Sequence, residues 1–94
     1  MSLQIYRDQV DTIDKSLIGL LEKRILISSL VGKLKRKEGD VSKTLDRRED
    51  IMRRVKKLTR KIGNQSIENI YTPIFDLSEK CQNKKTYVRM LYLV

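Results

Sequence analysis

The sequence has no histidine and no tryptophan, and it holds one cysteine, one proline and one phenylalanine. Without histidine the chain lacks the commonest metal ligand and the commonest general base. No metal site and no cofactor is expected. With Cys81 as the single cysteine no intrachain disulfide can form, which points to a reducing, cytoplasmic setting. No stretch approaches the ~18 apolar residues that cross a bilayer, and the N-terminus has no apolar signal-peptide core, so no membrane partner is expected.

Charged residues are plentiful instead, at 35% of the chain against 39% hydrophobic. That balance favours a helical, heavily solvated protein over a sheet. Ninety-four residues allow one domain, residues 1–94, with a core that is marginal for a monomer. The net charge of +9, from 21 basic and 12 acidic residues, points to anionic partners.

Apolar residues recur in steps of three and four through Val10, Ile13, Leu17 and Leu20, then Ile27, Val31 and Leu34. This predicts one long helix over about 3–38 with a heptad-like seam. Such a helix is a rod of roughly 50 Å that cannot bury its own seam, so a second copy of the chain is the natural partner. Gly39-Asp40 ends it. A second helix is expected over about 46–62, with Asp46 as N-cap, Glu49 three residues on, and Ile51, Val55, Leu58 and Ile62 as its apolar face. Gly63-Asn64 supplies the stop. A third helix, capped by Ser66, is expected over about 67–85, with Pro73 either kinking it or marking its proper start. The apolar tail 86–94 is expected to be buried. The fold expected is all-α, three helices with a very long first one, paired as an intertwined homodimer.

Most of the lysines and arginines need no special explanation, because a basic helix face such as Arg53 to Lys61 is ordinarily solvated. Arg24 is different. It occupies a seam position where the period calls for an apolar side chain, and a cation there is costly unless an anion meets it. Lys35 follows eleven residues later, about 20° around the helix and ~16 Å along it. Arg7 stands seventeen residues before Arg24, about 25 Å away on a straight helix. It can share a small-ligand site with Arg24 only if it comes from an antiparallel partner. Ser78 and Gln82 stack at i and i+4 on the third helix.

The run from Tyr6 to Arg24, with Arg7, Ile13-Asp14, Leu17-Ile18 and Leu20-Leu21, resembles the opening of the all-helical class of chorismate mutases. Val31-Gly32-Lys33-Leu34-Lys35, Asp46-Arg47 and Ser78-Glu79-Lys80-Cys81-Gln82 extend the resemblance to about residue 85. It implies the pericyclic rearrangement of chorismate to prephenate, which needs no nucleophile, metal or proton relay. By analogy Arg24 pairs with one substrate carboxylate and Arg7 of a partner chain reaches the other. Lys35 and Gln82 bond the breaking ether oxygen, and Arg47 and Ser78 orient the substrate. The implied catalytic residues are Arg24, Lys35 and Gln82; the implied partners are a small dicarboxylate and a second copy of the chain.

The chain departs from the family pattern where a glutamate that binds the substrate hydroxyl should follow Arg47. Arg48 stands there, and Glu49 comes one residue later. A register shift pairing Arg48 with Glu49 is opposed by the phase of Ile51, Val55 and Leu58, which it would rotate by about 100°. Two alternatives stay open: an isochorismate pyruvate lyase on the same scaffold, and a basic helical dimer that binds nucleic acid or regulates through protein contacts. Nucleic acid is disfavoured because no aromatics are interleaved with the basic face for base stacking.

Overall fold

The computed structural model describes residues 2–38 and 44–83. They form three helices, α1 (Leu3–Glu38), α2 (Thr44–Leu58) and α3 (Asn64–Asn83), and no strand occurs among the described residues. The expected all-α, three-helix architecture with a very long first helix is borne out. The stop at Gly39-Asp40 and the tail 86–94 lie outside the described residues.

α1 dominates the shape. The molecule extends 57 Å along its long axis and has a radius of gyration of 16.3 Å, against about 12 Å for a compact chain of this length. α3 packs mainly on the C-terminal half of α1 and more lightly on α2. The core is correspondingly small. Ile67, Phe75 and Cys81 are its buried apolar side chains, joined by the buried hydroxyls of Ser28 and Ser78. Val10, Ile13, Leu17 and Leu20 on the N-terminal half of α1 are all exposed.

The second helix differs from its expected span at both ends. It begins at Thr44, so Asp46 lies inside the first turn, where a carboxylate still complements the helix dipole, and is not the cap. It stops at Leu58 and leaves Ile62 outside. The reason is local: the Thr59 hydroxyl accepts the Ile62 N–H at 3.1 Å, a side-chain turn that competes with helix propagation. Leu58 is 80% exposed, so no burial favours carrying the helix further.

α3 begins at Asn64, ahead of Ser66, and its first turn is tied down by the Ile67 N–H bonding to the Gly63 carbonyl at 3.0 Å. Ser66 is therefore not the cap. The helix passes continuously through Pro73. Proline removes one N–H there, and the packing of Ile67, Phe75 and Cys81 holds the helix on either side of it. α2 is fastened to α3 by ion pairs, Lys56 to Glu68 and Arg48 to both Asp76 and Glu79.

Candidate active site

One face of α1 presents Arg24, Ser28, Val31 and Lys35, at successive steps of four, three and four. At 3.6 residues per turn these side chains share one stripe. Here α3 crosses α1, and α2 closes the third side. The three helices enclose an open cleft of about 630 Å³, within the range of small-molecule sites. Arg24, Lys35, Arg47, Ser78 and Gln82 all line it. Arg7 does not. It is exposed on the distant N-terminal part of α1.

The crossing is very tight. A β-carbon added to Gly32 would lie 2.7 Å from the Gln82 Cβ and 2.8 Å from its Cα and carbonyl oxygen. Only glycine lets the backbones approach this closely. That approach allows a polar network between α1 and α3. Arg24 Nη1 donates to Ser78 Oγ at 2.8 Å. Gln82 Nε2 donates to Ser28 Oγ at 3.0 Å, and Ser28 Oγ donates to the Ser78 carbonyl at 3.4 Å. Ser28 and Ser78 are buried, so these bonds satisfy groups that would be costly to leave unmade.

The cations around the cleft fall into two sets. Arg47 pairs with Asp50 at 3.3 Å and Arg48 meets two carboxylates on α3. Among the described residues neither Arg24 nor Lys35 is paired with a carboxylate. Arg24 instead lies 5.7 Å from the centroid of Phe75, with Arg48 5.3 Å from the same centroid. A ring face stabilises a guanidinium without neutralising it. Two uncompensated positive charges on one stripe, with amide and hydroxyl donors between them, can hold a small anion with two negative groups and stabilise further charge that develops during reaction.

Ser28, Arg48, Phe75 and Glu79 also line the cleft, although the sequence assigns none of them a role in the site. Ser28 had a legible signal, since it stands at i+4 from Arg24 and i−7 from Lys35. Arg48 had one too: it is seven residues before Val55, about 20° away. Its side chain is 27% exposed against 59% for Arg47. The phase argument against pairing Arg48 with Glu49 rests on Ile51, Val55 and Leu58, and of these Leu58 faces solvent. Glu79 and Phe75 had no such signal.

No curated protein and no solved structure matches the sequence. The family model for chorismate mutase type II matches residues 6–83, which takes in α1 from Tyr6 onward, all of α2 and α3, and every residue of the cleft. The chain therefore belongs to the chorismate mutase type II family, and it is an isomerase.

Proposed function

We propose that the protein converts chorismate to prephenate in the biosynthesis of phenylalanine and tyrosine, in the cytoplasm, and that the cleft between the three helices is its active site. The observation that carries this reading is the pair of uncompensated cations, Arg24 and Lys35, on one stripe of α1. A dicarboxylate supplies the charge that this stripe lacks, and the rearrangement needs a held conformation more than a reactive side chain.

In this reading Arg24 grips one substrate carboxylate while Ser78, its hydrogen-bond partner at 2.8 Å, fixes the guanidinium. Lys35 and the Gln82 amide bond the ether oxygen as its bond to carbon breaks and negative charge gathers on it. Donors aimed at developing charge act mainly on the transition state, so they raise kcat. Arg47 contributes to orientation from the cleft rim.

The second carboxylate is met by Arg7 of a partner protomer. Support comes from the exposed seam of α1, where Val10, Ile13, Leu17 and Leu20 need cover, and from the length of α1, which separates Arg7 from Arg24 by about 25 Å in one chain. An intertwined homodimer of paired α1 helices covers the seam and brings the two arginines together.

The test is chorismate disappearance with wild type, Arg24→Ala and Lys35→Ala, with isochorismate as a parallel substrate. Turnover of chorismate that both substitutions abolish is the expected result. Equal turnover by all three proteins would remove the cleft from consideration, and turnover of isochorismate alone would make the protein a pyruvate lyase.

A further inference from the structure

The cations on the α1 wall of the cleft have no carboxylate partners among the described residues, whereas the arginines on the wall built from α2 and α3 are paired with carboxylates. Arg48 Nη2 donates to Asp76 Oδ1 at 2.8 Å and to the Thr72 carbonyl at 3.5 Å, and Arg48 Nε stands 3.3 Å from Glu79 Oε1. One guanidinium meets two carboxylates, so the charge of Arg48 is compensated where it stands. Arg48 lines the cleft, but it is not an anion receptor in the sense that Arg24 and Lys35 are.

Glu79 is the unusual member of the group. Its side chain lines the cleft, and its Oε1 is out of contact with water. That oxygen is closed off against Arg48 Nε at 3.3 Å without an aligned hydrogen bond, so it is closed to a ligand as well, and the acceptor left for one is the other carboxylate oxygen of this 29% exposed side chain. A carboxylate has about four acceptor positions and no donor. Placed in a cleft that binds anions, it repels a ligand carboxylate and attracts a ligand hydroxyl, with which it makes a short, charge-assisted bond. Asp76, the other carboxylate on Arg48, is 65% exposed and lies outside the cleft.

We propose that Glu79 is the specificity-determining acceptor of this cleft, taking a hydrogen bond from the substrate's hydroxyl while Arg48 holds its carboxylate in position. This rests on the chorismate reading and deepens it. The ligand is a dicarboxylate whose carboxylates face α1 and whose hydroxyl faces α3. Arg48 is then an anchor. It fastens Glu79 from one side, Asp76 fastens Arg48 from the other, and the Phe75 ring supports the guanidinium plane from 5.3 Å.

The experiment measures, by isothermal titration, the affinities of a matched pair of dicarboxylate ligands, one bearing the hydroxyl and one lacking it. Wild type should prefer the hydroxylated ligand by about tenfold or more, the range of a hydrogen bond to a charged group. In Glu79→Ala the preference should collapse to near unity. Glu79→Gln keeps a carbonyl acceptor in the same shape, so it should fall between, and it guards against a folding failure of the alanine variant. If Glu79 merely fastened α2 to α3, both ligands would weaken together and the ratio would stand, which would overturn the proposal alone. Wild type that turns over no chorismate would overturn the underlying reading and the proposal with it.

Discussion

Gly32 on α1 and Gln82 on α3 are in backbone contact, close enough that a β-carbon on residue 32 would sit 2.8 Å from the Gln82 carbonyl oxygen. Neither Gln82 Cα nor its carbonyl can rotate away, so Gly32→Ala must separate the helices. Overpacking of this kind costs about 1–3 kcal/mol, offset in part by the ~1 kcal/mol helix preference of alanine over glycine. The variant should show a lower urea midpoint. It should also lose roughly tenfold or more in kcat, because displacing a positioned group by a fraction of an ångström costs rate.

Arg24→Leu should separate stability from activity. The wild-type cation holds a seam position with no carboxylate beside it, and a leucine restores the apolar period. Stability in urea should stay within about 1 kcal/mol of wild type or rise, as is common when a functional charge is removed. The kcat/KM for chorismate should fall by about a hundredfold or more, the scale of losing a buried charge-paired contact. A variant both stable and active would exclude Arg24 from substrate binding.

Ser28→Ala should act on the reaction through Gln82. The hydroxyl accepts from Gln82 Nε2 and donates to the Ser78 carbonyl. Its loss should cost about 1–2 kcal/mol of stability and reduce kcat more than it raises KM, since the freed amide is aimed less well at developing charge. Ser28→Thr, which keeps the hydroxyl, should recover part of the rate.

The proposed sharing of sites between two protomers predicts complementation between two inactive variants. Arg7→Ala and Arg24→Ala should each be nearly inactive. Refolded together, half of the dimers are mixed, and each mixed dimer holds one intact site, so activity should return to about a quarter of wild type. No recovery would mean that Arg7 does not cross between protomers.

Cys81 gives a pH signature. Burial raises its thiol above the ordinary value of 9.0, with the positive charge of Lys80 opposing. The thiol should resist alkylation at pH 8 in the folded protein and react once urea unfolds it. Because the native state keeps its proton longer than the unfolded state, the contribution is intact below pH 9. It is lost as pH rises from about 9 through the folded value, and the urea midpoint should decline over that range.

The helices were legible in the sequence to different degrees. The seam from Val10 to Leu34 predicts α1 because seven apolar positions repeat the same period, and sustained periodicity outweighs local exceptions such as Arg24. The end of α2 was not legible. Leu58 and Ile62 continue the apolar spacing, yet the Thr59 hydroxyl captures the Ile62 N–H and the chain turns. Apolar spacing says which residues would share a face, and not whether anything lies opposite to bury them. Among the described residues Leu58, 80% exposed, has nothing opposite it.

Much of the candidate site follows the same division. The placement of Arg24 and Lys35 on one stripe was determined by sequence alone, because 3.6 residues per turn is a property of the local backbone. So was the separation of Arg7 from both. The tertiary structure decided which of two adjacent arginines turns inward, which carboxylate meets it, and why residue 32 is glycine. Those answers depend on partners far apart in the chain: Arg48 with Asp76, 28 residues on, and Ser28 with Gln82, 54 residues on. A basic or acidic residue has the same local signature whether it faces water or a cleft. Only the crossing of α3 over α1, with α2 laid against them, distinguishes Arg48 from Arg47 and draws Glu79 into the cleft.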